Sequence, residues 1–372
     1  MTSPDVVGAL RREMSLAGLR LRNGLAYARG EHTERVQPTA KDMVWQRDKI
    51  TLWRCRSEGV RQGPPVLAMI GLVSRSYVLD LAPGNTFVGA LAEAGFDVYL
   101  LDWGVPDEAD AENSLDTYAS RYLPRVINVV KGHSGSDSIN LLAYCMGAQL
   151  ALLYLAQRRD HGVRAMVTLA PPVDFDAMGF LARPFRDPSF PPESLIDDRG
   201  LVPASVVARG FTMKTPTYDV VSYVDLMQKL ADTQKLEAHA AMTTWIRDHV
   251  PWPGAAFQQM VQMFIRDNAF VNGTARVNGR RADLADIDIP ILNVMAERDD
   301  VVPLEASAAL AGLVPAELYD EFRIKAGHVG LVLGRTAARV TIPTVIEWML
   351  THSEPKERGQ DHSAADHHDP SR

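Results

Sequence analysis

The chain has 372 residues, of which 46% are hydrophobic and 23% are charged, which excludes wholesale disorder and allows one large α/β domain with an inserted lobe. Asp and Glu outnumber Lys and Arg by 46 to 39, and the formal net charge is −7. The basic field that attracts nucleic acid is therefore missing, and we expect no nucleic-acid partner. Two cysteines, Cys55 and Cys145, do not make a disulfide framework and are typical of a reducing, cytoplasmic compartment.

No segment has the pattern of a signal peptide or of a membrane span. The first residues mix acidic and basic side chains and contain no apolar core, unlike a secretory leader. The longest apolar stretch, residues 141–156, is shorter than the roughly 20 residues of a membrane span and contains Gly147 and Gln149. We predict no transmembrane segment and interpret this stretch as a buried strand that leads into a buried helix.

Strands and helices alternate along most of the chain. Residues 1–45 are predicted to be an N-terminal helical lead-in, and residues 48–55 an edge strand. The next predicted elements are, in chain order, strand 66–73, helix 86–94 with Gly95 as its C-cap, strand 96–101, helix 116–130, strand 139–143, helix 146–157 and strand 163–170. Continuous apolar runs in the strands indicate a doubly wound, mostly parallel sheet that is covered on both faces.

The alternation lapses between residues 171 and 288, where prolines, tryptophans and helical patches occur without a convincing strand. It resumes with strand 289–296, helix 305–313, strand 318–324 and helix 340–350. We therefore predict an α/β core formed by residues 46–170 and 289–350 and a helical cap inserted at 171–288. Residues 353–372 are rich in Asp, His and Ser and are predicted to be a disordered tail.

One strand–turn–helix junction carries the pattern of a nucleophile. Cys145 stands between the strand 139–143 and the helix 146–157, in the position that Ser occupies in the G-x-S-x-G nucleophile elbow. Small neighbours at Ala143, Gly147 and Ala148 allow the helix to pack closely behind the turn. The backbone N–H of Met146 is placed to stabilise an oxyanion, and the helix N-terminus supplies positive potential.

Two further side chains follow later strands in the chain order nucleophile, acid, histidine. The loop after the strand that ends at Ala296 offers Asp299 and Asp300, and the loop after the strand 318–324 offers His328 between two glycines. Catalytic residues belong at the carboxyl ends of strands in open α/β sheets, so the three positions predict a Cys-His-Asp triad. The other histidines, including His249, are expected on the surface or in the cap.

These residues resemble the polyhydroxyalkanoate synthases, members of the α/β-hydrolase superfamily, and in particular the short class III catalytic subunit. The resemblance spans about residues 48–350 and rests on GLVSRSYVLDL, VYLLDWGVPDEAD, LLAYCMGA, LAPPVDF, DNAFVNG, DLADIDIPILNVMAERDDVVP and AGHVGLVLG. It implies an α/β-hydrolase fold with an inserted helical cap. The extra N-terminal domain of longer synthases is not present in this sequence, which points to the short type.

The resemblance also implies roles for individual residues. Cys145 would carry the acyl group, His328 would be the general base and Asp299 the triad acid. The backbone N–H groups of Val73 and Met146 would form the oxyanion hole. The sequence departs from the family at Ala143, where the first elbow glycine is usual, and at Asp300, where His is usual.

The implied activity is a poly(3-hydroxyalkanoate) polymerase that transfers (R)-3-hydroxyacyl groups from CoA to a growing polyester, without a cofactor or a metal. The implied partners are the (R)-3-hydroxyacyl-CoA substrate, a helical partner subunit (PhaE-like) or a second copy in a homodimer, and the surface of a polymer granule. Apolar cap residues would exclude water, with Trp245, Trp252, Phe257 and Phe264 as candidates.

Two alternatives remain open on the sequence. A Cys-dependent α/β-hydrolase acting on esters, lactones or thioesters would use the same three residues, and the departures at Ala143 and Asp300 favour it. A catalytically inactive homologue at the granule surface is the other alternative, although all three triad positions are filled.

Overall fold

The computed structural model describes residues 3–30, 36–57, 63–179, 182–212, 226–227 and 229–352. Its centre is a sheet of eight strands with the spatial order β1-β2-β4-β3-β5-β6-β7-β8. In chain order the strands are β1 Lys41–Arg47, β2 Ile50–Cys55, β3 Val66–Met69, β4 Val98–Asp102, β5 Ile139–Tyr144, β6 Val163–Leu169, β7 Ile291–Ala296 and β8 Tyr319–Ile324. Strand β2 is antiparallel to both β1 and β4, and the pairs from β4 to β8 are parallel. The predicted doubly wound, mostly parallel α/β sheet is confirmed.

Helices connect the strands and cover the sheet. The longer α-helices are α1 Ser3–Ala28, α2 Phe87–Glu93, α3 Leu123–Ser134, α4 Met146–Ala156, α5 Ala204–Thr212, α6 Thr233–Arg247, α7 Gly254–Met260 and α8 Ile342–His352. Short α-helical turns lie at Leu115–Thr117, Arg183–Arg186, Leu304–Ala308 and Gly334–Thr336. The 3₁₀ turns are Ser76–Leu79, Glu108–Asp110, Pro192–Leu195, Leu284–Asp286, Ala309–Gly312, Ala316–Leu318 and Val329–Leu331, and the π-helical turns are Tyr118–Tyr122, Val261–Arg266 and Ala337–Thr341.

The continuous apolar runs of the sequence correspond to strands that are buried on both faces. Every residue of β3, β4, β5 and β7 is buried, and these strands carry the main hydrophobic core. The outermost strands β1 and β8, which have a neighbour on one side only, consist of half-buried and exposed residues apart from the buried Ile324. Helix α2 ends one residue earlier than predicted, with Ala94 at its C-cap and Gly95, at a left-handed φ of 97°, directly after it.

The strand predicted at the sheet edge, residues 48–55, is β2, which pairs on both sides with β1 and β4. Three sequence-based boundaries are also wrong by four or more residues, and one of them is the end of the helix predicted for residues 116–130, which runs to Ser134. Residues 41–45, assigned to the helical lead-in, belong to β1, whose alternating residues form a half-exposed edge strand instead of an apolar run. The strand predicted for residues 66–73 ends at Met69. The carbonyl of Ile70 accepts a hydrogen bond from the Trp103 indole, and residues 70–73 leave the sheet to form a loop.

The described parts of residues 171–288 are mainly helical but contain short strands that the sequence did not predict. Leu201–Val202 pairs with Trp252–Pro253, and Arg276–Val277 pairs with Arg280–Arg281. Helix α1 contacts this region through Asn23, whose amide donates to the carbonyl of Leu230. The separation of residues 171–288 as a cap domain stays a prediction, and the predicted disordered tail at 353–372 lies outside the described residues.

One helical stretch in the described part of the chain, Val329–His352, is long and apolar enough to cross a membrane by length and composition alone. Val345 and Met349 of this stretch are fully buried in the hydrophobic core. The core helix of a water-soluble domain meets the same two criteria, so this stretch is weak evidence for a membrane span. The apolar stretch at residues 141–156 is strand β5 followed by helix α4, as predicted.

Candidate active site

Cys145 occupies a strained turn between β5 and α4. Its backbone dihedral angles, φ 55° and ψ −124°, lie where an L-residue is rarely found, which costs about 1–3 kcal/mol. The backbone holds this turn on both sides, because the N–H of Cys145 donates to Leu169 O at 2.8 Å and its carbonyl accepts from Ala148 N at 2.9 Å. The residue is half-buried, and the turn places it above the carboxyl edge of the sheet.

Two glycines allow the backbones around Cys145 to approach closely. A Cβ at Gly147 would lie 2.7 Å from the backbone carbonyl carbon of Ile70, and a Cβ at Gly71 would lie 2.7 Å from Cβ of Met146. Neither position has room for a side chain, so the first turn of α4 packs directly against the loop that follows β3. The candidate oxyanion residues, Val73 and Met146, belong to these two adjoining segments.

His328 and Asp299 come together beside Cys145. The imidazole Nδ1 of His328 is 2.7 Å from Oδ2 of Asp299, and their side chains are only 10% and 1% exposed. The other carboxylate oxygen of Asp299 accepts hydrogen bonds from the backbone N–H groups of Val301 and Val302, both at 2.8 Å. Because Asp299 engages Nδ1, the Nε2 atom of His328 is left for the hydrogen bond with Cys145.

The two adjacent carboxylates, Asp299 and Asp300, differ in their environment. Asp299 is buried and bonded to His328, whereas Asp300 is exposed to solvent. The structure therefore brings Asp299, and not Asp300, together with the imidazole.

Opposing effects set the pKa of the His328 imidazole. Burial lowers it, whereas the charges of Cys145 and Asp299 and the hydrogen bonds with both residues raise it, with a net pKa of about 10. The imidazole is therefore protonated at neutral pH. Cys145 makes the largest of the contributions that raise this pKa, so a change that removes its interaction with the imidazole lowers the pKa of His328.

Residues 101–104, with the sequence LDWG, hold the loop that contains Val73 in place through hydrogen bonds. The Trp103 indole donates to Ile70 O at 2.9 Å, and Asp102 accepts from Ser76 Oγ at 2.6 Å and from Gly104 N at 2.7 Å. Both ends of the loop after β3 are thus fixed by one short segment at the end of β4. Rigid positioning of this loop is what a backbone oxyanion donor requires.

Two cavities meet at Cys145. One, of about 270 Å³, is lined by Cys145, His328 and residues of the loop after β3, with Trp245 and His249 from the predicted cap on its other side. The second, of about 180 Å³, is bounded almost wholly by apolar side chains from the predicted cap and the core. Residues that line both cavities are Val73, Cys145, Met146 and Val301.

The predicted apolar lining is found in part. Trp245 lines the larger cavity, and Trp252 and Phe257 line the smaller one. Phe264 lines neither of them and is fully buried in the core, where it stacks on Phe175 at 5.6 Å.

Sequence reasoning missed two residues that shape the site. The Tyr144 ring stacks on the His328 imidazole with centroids 4.9 Å apart, and its hydroxyl donates to His328 O. His249 contacts Val73 O through Nδ1 at 3.2 Å, and burial lowers the pKa of its imidazole. Tyr144 precedes Cys145 directly and could have been suspected, whereas no local signal pairs His249 with a residue 176 positions away.

Within the described ranges, no group of three or more His, Cys, Asp and Glu side chains is arranged to hold a metal ion. The histidines near the C-terminus, His362, His367 and His368, lie outside those ranges.

Comparisons with known proteins agree with this architecture. A family model described as the alpha/beta hydrolase fold matches residues 78–195. Among solved structures, a bacterial membrane phospholipase A is similar with a TM-score of 0.51 and 15% identity, covering 94% of this chain and 99% of that protein. A Sulfolobus solfataricus structure has a TM-score of 0.54 and 15% identity, covering 84% of this chain and 99% of that protein. These similarities, with the strand order, establish the α/β-hydrolase fold.

Relatives with higher sequence identity define the family more narrowly than the fold does. The poly(3-hydroxyalkanoate) polymerase subunit PhaC of Allochromatium vinosum is 33% identical over 83% of this chain and 88% of that protein. Subunits of the same name from Synechocystis sp. and Haloferax mediterranei are 30% and 31% identical, covering 91% and 86% of this chain and 90% and 65% of those proteins. The chain therefore belongs to the poly(3-hydroxyalkanoate) polymerase subunit PhaC family.

Proposed function

We propose that this chain is the catalytic subunit of a poly(3-hydroxyalkanoate) polymerase that transfers (R)-3-hydroxyacyl groups from CoA thioesters to a growing polyester through Cys145. The observation that carries the proposal is the contact of Cys145, in its strained turn, with a buried His328 that is in turn bonded to Asp299. The names of the relatives support the reaction, and the two cavities that meet at Cys145 offer room for two acyl partners.

Acylation is the first step of this mechanism. Cys145 Sγ attacks the thioester carbonyl, the C–S bond to CoA breaks, and the CoA sulfur leaves with the proton that His328 held on Nε2. Exchange of one thioester for another keeps the acyl group activated. The N–H groups of Val73 and Met146 stabilise the oxyanion of the intermediate.

Transfer is the second step. His328 takes the proton of a 3-hydroxyl group, the oxygen attacks the Cys145 thioester, an ester bond forms and the Cys145 thiolate leaves. The fall in the pKa of His328 after acylation suits this role, because the imidazole then has its lone pair available. The buried Asp299 carboxylate holds Nδ1 and stabilises the imidazolium.

We further propose that the enzyme acts in the cytoplasm with a helical partner subunit (PhaE-like) or as a homodimer, and at the surface of polymer granules. Apolar cavity walls support growth over hydrolysis because they limit the access of water to the acylated sulfur. A Cys-dependent hydrolase is the second candidate, favoured by Ala143 at the first elbow position.

The test follows CoA release from (R)-3-hydroxybutyryl-CoA by the wild type and by Cys145→Ala, with and without a candidate partner subunit. Insoluble polymer and free acid are quantified in the same reactions. CoA release that yields polymer and is lost in the variant supports the polymerase. Release that ends in free hydroxy acid assigns the chain to the hydrolases instead.

A further inference from the structure

Two side chains in the walls of the smaller cavity have polar atoms without a hydrogen-bond partner among the described residues. Gln149 lines this cavity and is 1% exposed, yet neither Nε2 nor Oε1 of its amide has a hydrogen-bond partner among the described residues. The indole N–H of Trp252, in another wall of the same cavity, is likewise buried without a partner in the described chain. Over 90% of buried polar groups in proteins are bonded, and each exception costs about 1–3 kcal/mol.

Gln149 is placed to meet a group that is attached to Cys145. Helix α4 begins at Met146, so Gln149 lies one turn beyond the nucleophile and on the same side of the helix. Both residues line the smaller cavity, whereas His328 lines only the larger one. An acyl group that extends from Cys145 into the smaller cavity therefore passes Gln149 and points away from His328.

A 3-hydroxyacyl group can supply a hydrogen-bond partner for this amide. Its hydroxyl accepts a hydrogen bond from Nε2 or donates one to Oε1, whereas an unsubstituted acyl chain of equal length does neither. A site with buried polar groups discriminates strongly against a substrate that leaves them unpaired, more strongly than an apolar pocket discriminates by size.

We propose that the smaller cavity receives the Cys145-bound acyl group and that Gln149 selects 3-hydroxyacyl over unsubstituted acyl groups by binding the oxygen at C3. The inference rests on the proposed function, since it names the residue that determines the substrate of the same site. In this arrangement, the hydroxyl of the Cys145-bound acyl group and the hydroxyl that attacks the thioester occupy different cavities. The bound one contacts Gln149, and the attacking one enters through the larger cavity, where His328 can take its proton.

The experiment compares single-turnover acylation of Cys145 by (R)-3-hydroxybutyryl-CoA and by butyryl-CoA, followed as CoA release and as the mass of the intact full-length protein. The test variant is Gln149→Met, which keeps the side-chain length and removes the amide. The matched control is Gln157→Met, because Gln157 at the C-cap of the same helix also has a buried, unpartnered Nε2 but does not line either cavity.

We expect the wild type and Gln157→Met to prefer the hydroxy thioester equally. Gln149→Met should lose about tenfold or more of this preference through slower acylation by the hydroxy thioester, with acylation by butyryl-CoA unchanged or faster. The unfolding temperature of Gln149→Met should be no lower than that of the wild type, since this variant removes an unpaired polar group.

Three results would overturn the inference alone: a wild type without preference, a Gln149→Met variant that keeps the preference, or one that slows both thioesters equally. The last of these would indicate a merely structural role for the amide. Failure of the wild type to be acylated at Cys145 by either thioester would overturn the proposed function, and the inference with it.

Discussion

Replacing Asp299 by Asn, with Asp300→Asn as its control, tests the assignment of the acid in the site. The variant keeps an oxygen for the N–H groups of Val301 and Val302 but removes the charge that lies 2.7 Å from His328 Nδ1. Loss of a charge-assisted hydrogen bond of about 1.5–3 kcal/mol slows acylation about 10- to 150-fold. The amide also favours the wrong imidazole tautomer, which in serine enzymes extends the loss to about 10⁴-fold.

The assay is the initial rate of CoA release from (R)-3-hydroxybutyryl-CoA, with thermal unfolding as the check on folding. We expect Asp299→Asn to lose about 10- to 10⁴-fold in rate. Asp300→Asn should stay within about twofold of the wild type, because its side chain is exposed and lies outside the contact with His328. Equal losses in the two variants, or a larger loss in Asp300→Asn, would refute the reasoning.

Four further predictions follow from the surroundings of the site. Cys145→Ala should lower the pKa of His328 from about 10, measured by NMR titration of labelled histidine, because burial then acts without the charge of the sulfur; an unchanged pKa would contradict this. Because the pKa of His328 is higher in the folded protein, its protonation stabilises the fold fully below pH 6.5, and this stabilisation is lost as the pH rises to about 10. His328→Gln should therefore lower the free energy of unfolding less at pH 10 than at pH 6. Gly147→Ala should lower the free energy of unfolding by about 1–3 kcal/mol in a denaturant titration, whereas Gly132→Ala, a helical position with open space around it, should raise it by about 0.5–1 kcal/mol. Trp103→Phe leaves a loop carbonyl unpaired and should slow CoA release by about tenfold with little change in KM; a wild-type rate would show that the loop does not need this brace.

Much of the fold is visible in the sequence because local pattern and global structure agree. The central strands are continuous apolar runs, and each is bounded by turn residues that limit its length. Cys145, Asp299 and His328 could be predicted because each follows a recognisable strand, and parallel strands bring their carboxyl ends to one edge of a sheet.

The elements that sequence reasoning missed depend on distant contacts. Strand β1 has a half-exposed pattern that an edge strand shares with a loop or a polar helix, and only its pairing with β2 defines it. The end of β3 at Met69 depends on Trp103, which lies in another strand connection. Asp299 and Asp300 follow the same strand, so apart from the family resemblance only the backbone N–H groups of Val301 and Val302 distinguish the carboxylate that turns inward.

The sequence likewise does not predict that the amide of Gln149 lacks a hydrogen-bond partner among the described residues. Residues 141–156 read as one apolar stretch in which a glutamine is a minor interruption. Its significance depends on a cavity whose walls come from α4, the loop after β3 and the predicted cap, and no local pattern shows that these segments leave the amide without a partner.

The proposed mechanism requires Cys145 to carry the acyl group during polymer formation. The most direct measurement is peptide mapping by mass spectrometry after the wild type is mixed with (R)-3-hydroxybutyryl-CoA and quenched in acid, which preserves thioesters. We predict a hydroxyacyl adduct on the peptide that contains Cys145, with none on the peptide that contains Cys55, whose thiol pKa is raised to about 12 by burial. CoA release with an adduct on another residue, or with no adduct and undiminished in Cys145→Ala, would contradict it.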